Sequence, residues 1–280
     1  MCSSSFLFSI ALTRSTLWAT YRRHKRGSGI RSVRDSHGSG EPVPAARPAS
    51  TVTPVDGAYA ENSLSALVRR VREHAAGRDG RYLLGIVGPP GAGKSTLSVR
   101  LRNALNVESP IAEIAPMDGY HLTNAQLDAA GSLARKGEPD TFDTAAFLAN
   151  LRRLRDTPIG EPVPWPIFDR AVHDPIPAGL VFERQTIVLT EGNYLLLDDV
   201  GDREWSAVRK LLDECWYLDA ARELLEHRLL RRHIRGGRTP AAARTKVHES
   251  DLRNADLIDA TKARADLVLR QRGRRYEIQS

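Results

Sequence analysis

Apolar residues follow two spacings along the chain, and these predict helices and strands in alternation. Leu64, Leu67, Val68 and Val71 recur three and four residues apart, the period of an amphipathic helix. Short continuous apolar runs such as Tyr82–Val87 are typical of strands buried on both faces. Helices are predicted over residues 61–77, 95–105, 143–155, 204–212 and 220–235 and within 239–263, and strands over 82–87, 111–116, 186–190, 215–218 and 266–269. This alternation predicts an α/β domain with a mainly parallel five-stranded sheet flanked by helices.

Residues 1–58 show neither spacing and are rich in Ser, Arg, Gly and Pro. Such a segment cannot bury enough apolar surface to offset the entropy of ordering, so we predict a disordered, basic, Pro-rich tail before a folded domain at 59–280. The first 34 residues contain no acid and residues 6–12 are apolar, which is typical of an organellar transit peptide. The alternative is a dispensable extension, in which case a chain that begins near Ala58 keeps full activity.

The net charge of +7 belongs mostly to that tail. Residues 1–60 carry eight basic and three acidic side chains, whereas the remaining 220 residues carry 33 and 31. A nearly neutral folded part does not indicate a nucleic-acid surface. No run of about 18 apolar residues predicts a membrane span, and two cysteines cannot build a disulfide framework or a four-cysteine zinc site. We therefore expect a cytoplasmic protein without a nucleic-acid or membrane partner, and we leave a homodimer open.

A glycine-rich loop after the first strand carries the strongest chemical signal. The sequence Gly-Pro-Pro-Gly-Ala-Gly-Lys-Ser at 88–95 fits G-x-x-x-x-G-K-[ST] between a predicted strand and a predicted helix. Glycines let backbone N–H groups surround phosphates, and the N-terminus of the helix adds positive potential. Lys94 would contact the terminal phosphates and Ser95 would ligate Mg²⁺, whereas a chance match would leave only a flexible loop. The predicted nucleotide-binding residues here are Gly88, Pro89, Pro90, Gly91, Ala92, Gly93, Lys94, Ser95 and Thr96.

Two carboxylates end predicted strands on the side where ligands of parallel sheets bind. Asp118 follows the strand at 111–116 and could accept the proton of an attacking hydroxyl. Glu191 follows the strand at 186–190 and could hold a Mg²⁺ ion or its waters. The alternative is structural: Asp118 could simply form an Asp-Gly turn, and Glu191 could cap a turn or a helix.

An arginine-rich run lies near the end of the predicted helix at 220–235. Arg228, Arg231, Arg232 and Arg235 recur three and four residues apart, so several share one helical face. Guanidinium groups bind phosphates and stabilise charge on a transferring phosphoryl group, and the following Gly-Gly at 236–237 could hinge a closing lid. A solvated face with ion pairs to Glu223 and Glu226 is the alternative.

Four further motifs follow the loop in a distinctive order. They are Met-Asp-Gly-Tyr-His at 117–121, Arg-Lys-Gly-Glu-Pro-Asp-Thr-Phe-Asp at 135–143, Pro-Ile-Phe-Asp-Arg-Ala-Val-His-Asp at 166–174 and Glu-Gly-Asn-Tyr at 191–194. With the loop and the arginine run, this order resembles the phosphoribulokinase/uridine kinase superfamily over about residues 60–270. It is most similar to the pantothenate-kinase-like and fructose-transport-kinase-like branch, also called the nucleoside/nucleotide kinase family.

The resemblance implies a P-loop NTPase fold with a small hairpin insertion and an Arg-rich lid, and it implies ATP and Mg²⁺ as cofactors. Ser95 and Glu191 would form the metal shell, and Arg235 would join the nucleotide site. The implied catalytic residues are Asp118 as base, Lys94, Arg228 and Arg232, and the implied acceptor-binding residues are Tyr120, His121, Arg135, Arg170 and His173.

The expected reaction is transfer of the γ-phosphoryl group of ATP to a hydroxyl of a small polar metabolite. The acceptor stays open between a nucleoside, a pantothenate-like compound and a sugar. Uridine kinases usually carry Asp-Ser-aromatic where this chain has Asp118-Gly-Tyr, and pantothenate kinases have an aromatic-rich segment where it has 168–173. One alternative is a P-loop NTPase or nucleotide-dependent switch, which would hydrolyse ATP steadily without any acceptor. Another is a nucleic-acid-binding ATPase, which the charge distribution disfavours.

Overall fold

Two β-sheets and their flanking helices make up residues 64–279, the part of the chain that the computed structural model describes. The predicted tail at 1–58 lies outside the described residues. The strands are β1 (Tyr82–Val87), β2 (Ala112–Pro116), β3 (Val163–Asp169), β4 (Asp174–Phe182), β5 (Ile187–Gly192), β6 (Glu214–Asp219), β7 (Leu267–Arg272) and β8 (Arg275–Ile278). The α-helices are α1 (Leu64–Ala75), α2 (Lys94–Leu105), α3 (Asn124–Ala129), α4 (Thr144–Asp156), α5 (Ser206–Lys210), α6 (Arg222–Arg235), α7 (Pro240–Lys246) and α8 (Leu252–Asp259).

The larger sheet has the strand order β2-β5-β1-β6-β7-β8. Strand β1 pairs in parallel with β5 and β6, and β2 and β7 extend the parallel sheet on either side. Every residue of β1, β5 and β6 is buried, which explains their continuous apolar runs. These five strands confirm the predicted parallel sheet and its α/β class.

The sixth strand, β8, was not predicted. It pairs antiparallel with β7 across a tight turn at Gly273, where φ is +59°. Its sequence, Arg-Tyr-Glu-Ile, is short and half charged, so it lacks the apolar run by which the other strands were found. Only Tyr276 is buried in the core, where it anchors the strand at the sheet edge.

The sheet separates two hydrophobic cores, and β1 contributes to both by alternation. Tyr82, Leu84 and Ile86 pack on the side of α1, α2, α6 and α8. Leu83 and Val87 pack on the other side, among residues of α4, α5 and the smaller sheet. The central strand is therefore held from both faces, and its carboxyl end is fixed where the glycine-rich loop begins.

The smaller sheet is the hairpin β3–β4, which agrees with the predicted insertion. It packs on the 3₁₀ turn Met117–Tyr120 that follows β2. A Cβ atom at Gly119 would lie 2.2 Å from the Pro166 carbonyl oxygen, so only glycine allows this approach. The hairpin thereby fixes the turn that carries Asp118.

The helical region predicted within 239–263 is divided into three parts. Helix α7 leads into a π-helical turn, Val247–Asp251, and then into α8. Helix α3, which starts with a capping box between Thr123 and Gln126, was not predicted because it is only six residues long. No helix within residues 64–279 is long and apolar enough to cross a membrane.

Arg81, at the start of β1, is a buried cation bound by backbone oxygens. Its guanidinium donates to the carbonyls of Leu154 and Thr157 at the end of α4 and to those of Glu183 and Gln185 before β5. Its side chain is 2% exposed, and this burial lowers its pKa from the ordinary value. One side chain thus ties α4 and the exit of the hairpin to the central strand.

We expect Arg81→Met to destabilise the fold by about 3 kcal/mol, because it removes four hydrogen bonds from one buried side chain to backbone carbonyls. Chemical denaturation of the variant measures this loss. Arg184, exposed in the same region, is a matched control whose replacement by Met should change stability by less than about 0.5 kcal/mol. Equal losses in the two variants would show that the Arg81 clamp contributes nothing specific.

Candidate active site

A cavity of about 550 Å³ opens at the carboxyl ends of β1, β2 and β5, where ligands of open α/β sheets bind. Three sides are formed by the glycine-rich loop, the Met117–Tyr120 turn and the end of β5. The fourth side comes from α6 and the segment from α7 to α8. Lys94, Ser95, Asp118 and Glu191, predicted from three separate segments of the sequence, all line it.

The geometry of the glycine-rich loop requires its glycines. A Cβ atom at Gly88 would lie 2.5 Å from the Leu218 carbonyl oxygen on β6. Gly93 has φ of +108° immediately before α2, a left-handed conformation that strains other residues. The loop therefore packs against β6 and directs the N-terminus of α2 into the cavity.

Lys94 is buried, and its ammonium group is held by the loop itself. Nζ donates to the carbonyls of Gly88 (2.8 Å) and Pro89 (3.1 Å) and to Oδ1 of Asn193 (2.7 Å). Burial lowers the pKa of Lys94 to about 8, although Glu191 and Asp118 partly oppose this shift. Asn193 is a contact that the sequence analysis missed, even though it lies in the Glu-Gly-Asn-Tyr motif.

Ser95 and Glu191 form a polar pair beside Lys94. The Ser95 hydroxyl donates to Oε1 of Glu191 at 2.9 Å, which joins the start of α2 to the end of β5. Burial raises the pKa of Glu191, and the nearby Asp118 raises it further, whereas Lys94 and Ser95 act in the opposite direction. A hydroxyl and a carboxylate are hard oxygen ligands, the type that Mg²⁺ prefers.

Asp118 lies on the 3₁₀ turn after β2, with its side chain 37% exposed. Arg170 from the hairpin approaches its Oδ2 atom at 3.9 Å. His121 donates through Nδ1 to the Asp118 carbonyl oxygen (2.8 Å), and its ring packs against those of Phe142 and Phe168. Burial lowers the pKa of His121, which favours a neutral imidazole. The backbone of Asp118 is thus held by His121, while its carboxylate remains accessible from the cavity.

The structure brings His121 and Arg170 into the cavity but not the other three residues predicted to bind the acceptor. Tyr120 is only 5% exposed and packs against Phe147 and Trp165 in the core. Its hydroxyl accepts a hydrogen bond from Asn150, which satisfies it inside the protein. This corrects the prediction for Tyr120, because the tight turn directs neighbouring side chains to opposite sides.

Arg135 and His173 also lie away from the cavity. Arg135 forms ion pairs with Glu138 and Asp140 and borders a second cavity. His173, with φ of +57°, is exposed at the tip of the hairpin. Lys136, the next residue of the Arg-Lys-Gly motif, lines the main cavity instead and binds the His173 carbonyl and Asp174. The motif therefore contributes its lysine, a distinction that the sequence pattern does not make.

The predicted lid arginines separate into three environments. Arg232 lines the cavity. Arg228, one helical turn earlier, donates to the carbonyls of Gly91 and Ala92 (3.0 Å each), so it holds the glycine-rich loop rather than facing the cavity. Arg235 is exposed at the end of α6. Glu226 contacts His248 at 3.2 Å, so its ion pair is not with the arginine run.

The segment from α7 to α8 supplies cavity residues that no motif indicated. They are Lys246, Ser250, Asp251 and Asn254. Asp251 accepts a hydrogen bond from Nε2 of His233 on α6 at 2.6 Å, which connects the segment to the arginine helix. They match none of the motifs found in the sequence, and whether they face the cavity depends on where the π-helical turn lies.

Comparisons with known proteins agree with this geometry. The family described as "Phosphoribulokinase / Uridine kinase family" matches residues 83–278. The chain is 33% identical over 200 residues to the protein named "Putative uridine kinase C227.14" of Schizosaccharomyces pombe, covering 68% of this chain and 83% of that protein. It is 28% identical over 213 residues to the pantothenate kinase of Leifsonia xyli subsp. xyli, covering 68% and 66%.

A solved structure is similar as well. It is the "putative fructose transport system kinase from Silicibacter sp. TM1040", with 37% identity, a TM-score of 0.67, and coverage of 74% of this chain and 98% of that chain. The phosphate loop, both carboxylates and the hairpin lie inside the residues that the family matches. The chain therefore belongs to the phosphoribulokinase/uridine kinase family and is an ATP-dependent kinase.

Proposed function

We propose that this kinase transfers the γ-phosphoryl group of ATP to a hydroxyl of a small polar metabolite. The observation that supports this most directly is the position of Asp118. Its accessible carboxylate borders the same cavity as Lys94 and Ser95 of the phosphate loop. A base in that position can accept a proton from an acceptor hydroxyl that attacks a phosphate bound by the loop.

The nucleotide would bind along the phosphate loop, with its terminal phosphates near Lys94. A smaller cavity of about 90 Å³ borders the same loop at Ala92. It offers the planar guanidinium of Arg228 and the amide of Gln271 to the base of the nucleotide. Ser95 and Glu191 would hold Mg²⁺, which supplies charge neutralisation at the β- and γ-phosphates when bound.

The remaining cavity residues would act on the transferring group and the acceptor. Arg170, 3.9 Å from Asp118, lies on the hairpin side of this carboxylate and would contact the acceptor beside it. Arg232 would donate to the phosphoryl oxygens as charge develops on them. Approach of α6 and its neighbours toward the hairpin would exclude water, which otherwise competes with the acceptor.

The acceptor class that we propose is small, polar and hydroxylated. His121, Lys136 and Arg170 line the acceptor side and give it hydrogen-bonding and cationic character. Relatives are named for uridine and pantothenate, and a similar structure is named for fructose transport. A nucleoside, a pantothenate-like compound and a sugar are therefore the acceptors to test.

A coupled ADP-release assay with a panel of nucleosides, vitamins and sugars tests this proposal, with mass spectrometry of the phosphorylated product. We expect one compound or a chemically related group to raise ADP release well above the rate with ATP and Mg²⁺ alone. Steady hydrolysis that no compound of the panel or of a metabolite extract increases would instead indicate an NTPase or nucleotide-dependent switch.

A further inference from the structure

One wall of the main cavity presents three polar residues on a single helical face. Lys246 ends α7, Ser250 lies in the π-helical turn and Asn254 lies in α8, each four residues after the one before. Residues four apart are neighbours on a helix surface, and π-helical turns are frequent at functional sites. All three line the cavity that contains Asp118 and the phosphate loop.

Asn254 is a nearly buried residue that lines the cavity, and its amide has no partner inside the described part of the chain. The residue is 9% exposed, and its side-chain oxygen and nitrogen form no hydrogen bond with residues 64–279. Polar side chains that are nearly buried normally have hydrogen-bond partners. An amide that faces a cavity in this condition is best explained by a ligand that completes its hydrogen bonds.

Lys246 and Ser250 leave further donors beside this amide. Nζ of Lys246 donates to the Ser250 hydroxyl oxygen at 3.0 Å, so two ammonium protons and the Ser250 O–H proton remain. Burial is the main cause that lowers the pKa of Lys246, and an anion placed beside it would offset this desolvation. The wall therefore offers one cation and several neutral donors.

The charged neighbours of Lys246 are already engaged or cationic. Asp251 is bound to His233 at 2.6 Å, and Glu138 is bound to Arg135 at 3.0 Å. Arg232 and Arg238 are the cations whose charge acts on Lys246. Asp251 and Glu138 also act on Lys246 and favour its ammonium form, but both have other partners, so Lys246 keeps donors for an anion in the cavity.

We propose that Lys246, Ser250 and Asn254 form a carboxylate-binding subsite, so that the phosphoryl acceptor is a small hydroxy acid. This inference rests on the proposed kinase function and specifies its substrate class. A carboxylate accepts several hydrogen bonds and carries one negative charge, which matches one lysine with neutral donors. The phosphates of ATP already have Lys94 and the amides of the loop, and a dianionic phosphate on the acceptor would call for an arginine pair.

Matched pairs of compounds test the carboxylate directly. D-pantothenate is compared with pantothenol and D-glycerate with glycerol, each pair differing only where the acid is replaced by an alcohol. The acid of one pair should have a kcat/KM about 10- to 100-fold above its neutral partner, the range expected for hydrogen bonds to a charged group. A neutral compound used as well as its acid, or a nucleoside or sugar used in place of any hydroxy acid, overturns the subsite but leaves the kinase proposal intact.

Variants separate the subsite from the nucleotide site. Lys246→Met and Asn254→Leu should raise KM for the acid about 10-fold or more while the Kd for ATP stays constant. Lys210→Met, at the exposed end of α5, is the matched control and should change neither constant. An increase in KM for ATP without one for the acid would assign Lys246 to the nucleotide and overturn the inference.

Thermal unfolding distinguishes a ligand-binding role of Asn254 from a structural one. Because its amide has no partner to lose, Asn254→Leu should keep or raise the Tm. A lowered Tm with an unchanged KM for the acid would show a structural role and overturn the assignment of Asn254. ADP release that is independent of every acceptor would overturn both the subsite and the proposed function.

Discussion

We expect Asp118→Asn to lower the turnover number by about 10²–10⁴-fold, the usual contribution of a general base. The amide keeps nearly the same shape and can still form a hydrogen bond with the acceptor, but it cannot take a proton. ATP affinity should change little, because in the proposed site the loop would bind the phosphates at Lys94 and Ser95. Steady-state kinetics with an accepted substrate, together with ATP titration, measures both quantities.

Two other roles for Asp118 give different results. If it only caps the Met117–Tyr120 turn, Asn substitutes well and activity stays within a few-fold of the native protein. If it mainly holds Mg²⁺, the defect shrinks as the Mg²⁺ concentration rises. Asp128→Asn, an exposed aspartate in α3, provides the matched control and should leave turnover unchanged.

Lys94→Met should abolish transfer and weaken ATP binding. The variant loses the cation that the loop would place at the β- and γ-phosphates in the proposed site, and removal of one such contact typically costs about 10²–10³-fold in rate. Its hydrogen bonds to Gly88, Pro89 and Asn193 are lost as well, so the loop itself loosens. Initial rates and ATP titration of the variant measure the effect.

The pKa of Lys94 gives this prediction a second readout. With a pKa of about 8, the ammonium form is present below that pH and is lost as the pH rises through it. ATP affinity of the native protein should therefore decline above about pH 8, and the decline should be absent in Lys94→Met. Unchanged turnover in the variant would show that the loop is not the nucleotide site.

The phosphate-loop side of the site could be predicted from sequence because its chemistry is local. A buried strand, a glycine-rich loop and a helix follow one another directly, so the positions of Lys94 and Ser95 follow from the motif. Asp118 and Glu191 end parallel strands of one sheet, and this places both at the same edge. The loop motif and the pattern of strands were therefore enough to predict the positions of these four residues.

The acceptor side could not be predicted in the same way. The Met-Asp-Gly-Tyr-His motif contains both a cavity residue, His121, and a core residue, Tyr120, because the 3₁₀ turn divides its side chains between two environments. In the arginine run, helical spacing groups Arg228 with Arg232. It does not show that Arg228 donates to the carbonyls of the glycine-rich loop, whereas Arg232 lines the cavity. A motif fixes residue types, whereas packing fixes which atoms they meet.

The sequence by itself determined the α/β class, the alternation of strands and helices along the chain, the phosphate loop and the two strand-end carboxylates. Short-range patterns encode each of these features. Only the tertiary structure decided which residues complete the cavity. Lys246, Ser250 and Asn254 are more than 100 residues from Asp118, and their approach depends on a π-helical turn and on the His233–Asp251 contact. Such long-range positions follow from the packing of the whole domain, which no local pattern records.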